Sequence, residues 1–141
     1  MIGLLVVTHG PLAQELVAAT EKIVGEAPRM EAISLGWEEE QAHARKRIEE
    51  AIQRNEQGQG ILILTDLFGG TASNLSFAFR SPGAVDVVTG VNLPMVVKFA
   101  MVKQESKDLA TVAHMITEKG SKAIRVASDL LTTVVGSGVG R

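Results

Sequence analysis

The chain has 141 residues, of which 45% are hydrophobic and 21% charged, with a formal net charge of −2 and no cysteine. This composition is typical of a globular protein, and it excludes disulfides, iron–sulfur clusters and thiolate zinc sites. One tryptophan, no tyrosine and no basic excess argue against nucleic-acid binding. The apolar N-terminus lacks a basic region and a small-residue cleavage site, and no apolar run approaches the ~20 residues of a membrane helix, so we expect a cytoplasmic protein.

The first half of the chain predicts two strands, each followed by a helix. Residues 2–7 form a continuous apolar run typical of a strand buried on both faces. Gly10-Pro11 ends it and favours a helix up to Gly25, with apolar residues recurring at helical spacing at Leu12, Leu16, Ala19 and Ile23. Residues 30–35 alternate less regularly, which indicates a less buried strand. A charged, partly solvated helix is expected after it, from Glu38 to Arg47.

The second half continues the alternation of strands and helices. A third strand at 61–64 is followed by a helix through about residue 79, and a fourth strand at 84–88 is followed by helices at 95–102 and 108–118. We expect Gly120 to end the last helix and a short final strand to form at 123–127. This order predicts an α/β fold with a mainly parallel sheet. We expect one domain over 1–135 and a flexible tail over 136–141.

Polar segments follow three of these strands, at 8–10, 65–71 and 89–92. Ligands of parallel sheets bind beyond the carboxyl ends of the strands, so we expect these segments to meet. His9 is the first candidate, because a neutral imidazole is a nucleophile towards phosphorus. The alternative is a histidine that merely caps a strand. Gly10 beside it would let a bulky anion approach closely.

Asp66 is the natural partner of this histidine. A carboxylate can accept a proton from one ring nitrogen and leave the other free to attack, although an aspartate here could also be a helix cap or turn residue. Gly69-Gly70-Thr71 could present backbone N–H groups and a hydroxyl to phosphate oxygens, but a glycine pair before a helix is often only a turn. Ser73 and Asn74 are secondary candidates.

We expect structural roles for the remaining histidines and for the methionines. We expect His43 to face solvent and His114 to pack into a helix face. Met95 and Met101 are expected in the core or at an interface. No metal site is predicted.

Three motifs in register carry a family resemblance. The segments LVVTHGPLA at 5–13, LTDLFGGTASN at 64–74 and TGVNLPM at 89–95 resemble, in order and spacing, the signatures of the mannose-type enzyme IIA of the bacterial sugar phosphotransferase system. The similarity extends over about 1–127. It implies that His9 carries a phosphoryl group, that Asp66 orients it, and that Thr71 lies near the phosphoryl group. Together with the residue reasoning above, we expect Gly10, Gly69, Gly70 and Ser73 to bind the phosphoryl group.

The same resemblance implies the fold and the partners. We expect a doubly wound sheet of four parallel strands with helices on both faces, and a further strand exchanged across a homodimer. The apolar run 130–135 also favours a symmetric dimer. Members of the family accept phosphate from the phosphocarrier HPr and pass it to an enzyme IIB, with a peripheral link to a membrane permease complex and no metal or organic cofactor. Leu67 and Phe68, if exposed, could help to dock partners, though Phe68 could equally be a core residue.

Several alternatives remain open at this point. A histidine phosphatase would need an arginine where Thr8 stands, and a receiver module phosphorylated on Asp66 would need acidic magnesium ligands after the first strand. A third alternative is a regulator whose phosphorylation state controls a partner protein instead of sugar transport. We expect no fused enzyme IIB domain, and Lys98 stands where the family resemblance predicts an acidic residue, so both transport and regulation stay possible outputs.

Overall fold

The protein is described by a computed structural model that covers residues 1–27 and 29–131. Strands and helices alternate along the chain, as the sequence predicts. Their order is β1 (Gly3–His9), α1 (Leu12–Val24), β2 (Met30–Leu35), α2 (Gln41–Asn55), β3 (Ile61–Thr65), α3 (Thr71–Phe77), β4 (Val85–Thr89), α4 (Leu93–Met101) and α5 (Leu109–Lys122). The expected tail at 136–141 lies outside the described residues, and the domain bounds 1–135 stay a prediction.

The four strands form one parallel sheet in the order β2-β1-β3-β4. Val6 of β1 lies opposite Ala32 on one side and Leu64 on the other. The two central strands are the continuous apolar runs, because a strand covered on both faces leaves no side for polar residues. The weaker pattern of β2 is explained by its place at the edge, where its residues are mostly half-buried.

The two faces of the sheet carry separate cores. Alternate residues of the central strands, such as Val6 and Leu64, pack against α1, α4 and α5. Their neighbours, such as Val7 and Ile63, pack against α2 and α3. Successive side chains of a strand point to opposite faces, so a wholly apolar strand supplies both cores. The predicted doubly wound fold with helices on both faces is therefore confirmed.

The buried side of α1 differs from the predicted apolar stripe. Leu12 and Ile23 are 44% and 60% exposed, whereas Ala13 and Thr20 are fully buried. The small side chain of Ala13 leaves room for the helix to approach the sheet. Thr20 can be buried because its hydroxyl donates to the carbonyl of Leu16 at 2.9 Å. The periodicity predicted the helix correctly, but the side of the helix that packs against the sheet is shifted by one residue from the predicted apolar stripe.

Gly120 does not end α5, contrary to the prediction. The helix continues through it to Lys122. A Cβ atom on Gly120 would lie 2.6 Å from the sulfur of Met95, which is itself buried in α4. The glycine therefore allows two helices to pack closely, and close packing compensates for its low helix propensity.

The short strand predicted at 123–127 does not form. Residues 124–126 have no regular structure and 127–131 are helical. Ile124 and Val126 are 79% and 62% exposed. An apolar β-branched run becomes a strand only where a sheet edge is available to pair with it, and this segment pairs with none in the described part of the chain. Across residues 1–27 and 29–131, no helix is both long and apolar enough to cross a membrane.

Candidate functional site

His9 and Asp66 meet at the carboxyl edge of the two central strands. His9 is the last residue of β1, and Asp66 directly follows β3, whose Thr65 pairs with Val7. The chain leaves β1 through α1 on one face of the sheet and leaves β3 through α3 on the other. The two connections diverge, so a crevice opens between these strand ends, and this is where doubly wound folds bind their ligands.

The carboxylate of Asp66 holds the ring of His9. Its Oδ2 accepts a hydrogen bond from the ring Nδ1 and another from the backbone N–H of His9, both at 2.9 Å. Both side chains are mostly buried, and Oδ1 of Asp66 has no hydrogen-bond partner among the described residues. A carboxylate in its ionised form only accepts, so the contact favours the neutral tautomer in which Nδ1 carries the proton and Nε2 keeps its lone pair.

Gly70 packs against the edge of the His9 ring. A Cβ atom on this glycine would lie 2.8 Å from Cε1 of His9 and 3.4 Å from Nε2. Its backbone is extended, with φ at −82°, so the position needs a glycine for space and not for conformation. Gly69 before it has a φ of +84°, in the left-handed region, so that position needs a glycine for its backbone conformation. The Gly69-Gly70 pair therefore shapes a turn that fits the imidazole.

The predicted phosphate-binding residues of this turn have different environments. The N–H of Gly69 donates to Oγ of Ser73 at 3.0 Å, and that hydroxyl donates to the carbonyl of Gly70 at 3.0 Å. Ser73 is fully buried, whereas Thr71 is exposed at the start of α3. Ser73 stabilises the turn in this structure, and the geometry favours Thr71 as the hydroxyl available to a ligand. Asn74 lies behind the turn, its amide donating to the carbonyl of Gly69 at 3.4 Å.

Trp37 is a site residue that the sequence analysis missed. Its indole stacks on the His9 imidazole, with the ring centroids 5.7 Å apart and the planes inclined by 22°. It comes two residues after β2, which ends at Leu35 on the same edge of the sheet. The candidate segments follow strands one, three and four, whereas the only tryptophan of the chain follows strand two. A tryptophan just after a strand, at the edge of the sheet where ligands bind, was the signal that could have predicted it.

Gly10 makes room for this indole. A Cβ atom there would lie 3.2 Å from both Cζ2 and Nε1 of Trp37. The sequence analysis expected Gly10 to admit a bulky anion, but in this structure the space over Gly10 is occupied by Trp37. Its φ of +58° also places it in the left-handed region, which favours glycine.

Asn92, in the third predicted segment, has a structural role in this structure. Its Oδ1 accepts from the N–H of Met95 at 3.2 Å and caps α4. Its Nδ2 donates to the carbonyl of Gly120 at 3.1 Å and links α4 to α5. The side chain is engaged there and not on His9. The segment still lies at the expected sheet edge, because the N–H of Val91 donates to the carbonyl of Thr65 at 2.9 Å.

The other histidines lie away from this contact. His43 is exposed as predicted, with Nδ1 at 2.8 Å from Oε2 of Glu39. The prediction for His114 is wrong, since it is exposed and its Nδ1 lies 2.7 Å from the carbonyl of Ala110. Its neighbour Ala113 is buried, and the helical rotation between consecutive residues turns His114 outward. Among the residues that the structure describes, no cluster of His, Cys, Asp and Glu could hold a metal ion.

The remaining predicted positions are divided between core and surface. Met95 is buried in the core, and Met101 is exposed. Leu67 and Phe68 are both exposed beside Asp66, so Phe68 is not a core residue; its ring lies 6.0 Å from that of Phe77. Lys98 is half-buried in the last turn of α4.

The loop that carries Trp37 is held by Glu39. Its Oε1 accepts from the N–H of Gly36 at 2.9 Å and from Nη1 of Arg47 at 2.8 Å. Burial acts to raise the pKa of the Glu39 carboxyl, but the hydrogen bonds from Gly36 and Arg47, the charge of Arg47 and the contact with His43 outweigh it and leave the pKa below its usual value. The carboxylate thus fixes the loop in its charged form.

The comparison with known proteins agrees with the three motifs. The family model described as "PTS system fructose IIA component" (EIIA-man) matches residues 3–117. The sorbose-specific EIIA component of the phosphotransferase system (PTS) of Lacticaseibacillus casei is 28% identical over 130 residues, which are 92% of this chain and 94% of that protein. The mannose/sorbose-specific IIA subunit from Enterococcus faecalis superposes with a TM-score of 0.79 at 26% identity, covering 88% of this chain and 92% of that one.

A longer relative matches over part of its length. The PTS mannose-specific EIIAB component of Escherichia coli (strain K12) is 23% identical over 125 residues, which are 88% of this chain. The present chain spans only 39% of that protein's length. Since the family model covers most of its residues, the chain belongs to the family of PTS fructose IIA components, the mannose-type IIA family that its three motifs predicted.

Proposed function

We propose that this protein is a phosphohistidine carrier that accepts a phosphoryl group from HPr on Nε2 of His9 and passes it to an enzyme IIB in sugar uptake. The observation that carries this proposal is the 2.9 Å contact between Nδ1 of His9 and Asp66, at the divergence of the two central strands. Family membership supplies the chemistry, because IIA components of this system are phosphotransferases. The contact supports Nε2 as the reacting atom, because it engages the other ring nitrogen.

The transfer needs no proton movement at His9. The lone pair of Nε2 forms the bond to phosphorus while the N–P bond of the donor's phosphohistidine breaks, and the electron pair of that bond returns to the donor ring. The proton on Nδ1 stays between His9 and Asp66. The phosphorylated ring becomes cationic, and the carboxylate balances its charge. The same steps in the opposite direction deliver the group to the acceptor.

The turn before Thr71 supports a role for this residue in holding the phosphoryl group. Gly70 packs near Nε2, and Thr71 follows it with an exposed side chain. We place the phosphoryl oxygens beside the Thr71 hydroxyl, which can donate a hydrogen bond to them. Among the described residues, no lysine or arginine forms a hydrogen bond or ion pair with His9 or Asp66. This suits a carrier, since an ion pair strong enough to hold the phosphoryl group would slow its departure.

An apolar surface beside His9 suits the docking of proteins. Leu12, Trp37, Leu67 and Phe68 are all exposed around the site. Contiguous exposed apolar residues mark interaction sites, and each partner must bring its own reacting group to Nε2. HPr and enzyme IIB would bind this same surface, one after the other. A link to a membrane permease complex would be formed through enzyme IIB.

We also propose a homodimer with an exchanged strand. Ile124 and Val126 are exposed apolar residues in the stretch 124–126, which has no regular structure in the described chain. Pairing with the sheet edge of a second copy would cover them and satisfy their backbone groups. Sedimentation at micromolar concentration tests this: a dimer that becomes monomeric in an Ile124→Asp/Val126→Asp variant is expected, and a monomeric wild type would contradict it.

The test of the function is intact-mass spectrometry at alkaline pH after incubation with phosphoenolpyruvate, enzyme I and HPr. We expect one acid-labile phosphoryl adduct on the wild type and none on His9→Ala, while His43→Ala and His114→Ala are still labelled. An adduct on His9→Ala would overturn the assignment. An adduct that forms but does not pass to any enzyme IIB would point to the regulatory output that the sequence left open.

A further inference from the structure

Trp37 combines high exposure with a defined position. Its side chain is 78% exposed, yet the indole stacks on His9 in an offset arrangement at 5.7 Å. An exposed tryptophan without a fixed support would lose this geometry to rotation about its side-chain bonds. The surroundings of the indole therefore determine whether the contact with His9 persists.

Two independent features hold the indole in place. Gly10 lies directly beneath it and lets the indole lie close to the backbone, since a Cβ atom there would lie 3.2 Å from the indole and would force it to shift. The loop itself is closed on both sides: the N–H of Gly36 donates to the Glu39 carboxylate, and the N–H of Glu39 donates to the carbonyl of Gly36 at 3.2 Å. Arg47 of α2 binds the same carboxylate and also the carbonyl of Ser34 at 3.2 Å. A helix on one face of the sheet thus fixes the loop above His9.

From these contacts we infer that Trp37 is a positioning residue for His9, an inference that rests on the proposed phosphoryl transfer. Asp66 holds the Nδ1 side of the ring, Gly70 packs against the Cε1–Nε2 edge, and Trp37 covers one face. The imidazole is then restricted in both its tautomer and its plane, and Nε2 is presented in one direction. Trp37 takes no part in making or breaking bonds. Its contribution is to limit the orientations of the nucleophile before the donor arrives.

The contact itself can be tested without any phosphorylation. In the nuclear magnetic resonance spectrum, we expect nuclear Overhauser effects between the indole Hζ2 of Trp37 and the Hα protons of Gly10. We also expect a ring-current shift of the His9 ring protons that is lost in Trp37→Ala. The His114→Ala variant, an exposed histidine on α5, should keep both signals. Absence of both signals from the wild type would overturn the inference.

The kinetic consequence is tested with a donor that needs no docking. Phosphoramidate transfers its phosphoryl group directly to imidazoles, so its reaction with His9 reports the ring and not a protein interface. We expect Trp37→Ala to slow this reaction about five- to tenfold, and Trp37→Phe to restore it to within about twofold, because a phenyl ring can also stack. Met101→Ala, which removes an apolar side chain of α4 that is 67% exposed, should react like the wild type.

The outcomes separate this inference from the proposed function. An unchanged phosphoramidate rate in Trp37→Ala, together with a raised KM for HPr alone, would mean that Trp37 only docks partners and would overturn the positioning role. A slowed rate that Trp37→Phe does not restore would also overturn it. If the wild type reacts with phosphoramidate but accepts nothing from HPr, the proposed function fails while the positioning role is still measured.

Discussion

Asp66 makes two hydrogen bonds to His9 through one oxygen, one from the ring and one from the backbone of the same residue. The carboxylate therefore ties the end of β3 to the end of β1 while it sets the tautomer of the imidazole. The hydrogen bond from the backbone N–H fixes the position of the His9 main chain, and the hydrogen bond with Nδ1 fixes the orientation of the imidazole ring.

This double contact makes Asp66→Asn an informative variant. An amide oxygen in the place of Oδ2 can still accept from the backbone N–H and from Nδ1, so we expect the fold to persist. The neutral amide is a weaker acceptor than the carboxylate, so it holds the tautomer with the proton on Nδ1 less firmly and cannot balance the positive charge of the phosphorylated ring. We expect phosphoryl transfer from HPr to fall about 10–100-fold, the usual effect of losing an orienting partner. Rapid-quench measurement of the transfer rate checks this, and a wild-type rate would reduce Asp66 to a turn residue.

Gly70→Ala tests the fit of the turn against the ring. The backbone at Gly70 is ordinary for any residue, so the added methyl group acts only by contact with Cε1 of His9. We expect at least tenfold slower phosphorylation with little change in thermal stability. Gly58→Ala is the matched control, since its φ of +97° makes it strained but nothing lies within 4 Å. That variant should lose stability and keep its phosphorylation rate; the reverse pattern would contradict the steric explanation.

The pKa of Glu39 predicts how stability depends on pH. Its folded pKa lies below the ordinary value of 4.5, so the charged form contributes stability at neutral pH that is lost as the pH falls through the folded pKa. Glu39→Gln should cost about 1 kcal/mol in the free energy of unfolding at pH 7, and the difference from wild type should shrink below about pH 4. Urea unfolding at pH 7 and pH 3.5 measures both values. An equal difference at the two pH values would remove the electrostatic explanation.

Gly120→Ala tests the close packing of α5 on α4. Alanine is the better helix former, so propensity alone predicts a gain of about 1 kcal/mol. The clash with the buried Met95 predicts the opposite, and we expect a net loss of about 1–2 kcal/mol in the free energy of unfolding. In a Met95→Ala background the obstructing side chain is absent, and the same change should cost less or become stabilising. Additive effects in this double-mutant cycle would contradict the packing argument.

The sequence alone determined the architecture and the contact between His9 and Asp66. Apolar runs such as 2–7 can be satisfied only by a strand covered on both faces, and their alternation with helices leaves few topologies other than a parallel, doubly wound sheet. Because the carboxyl ends of parallel strands share one edge, the positions of His9 and Asp66 after two such strands predicted that they would meet. Both inferences rest on local pattern and strand direction, which a sequence carries.

Only the tertiary structure decided which groups surround that pair. Neighbours such as Trp37 and Gly70 reach the ring from separate loops, and sequence patterns do not encode distances across loops. The same limit explains the wrong expectation for Gly120, because the role of this glycine depends on its contact with Met95 of another helix. It also explains the strand predicted at 123–127, because a strand exists only where an edge receives it. Periodicity determines which elements form, whereas packing between elements far apart in the chain determines which residues touch.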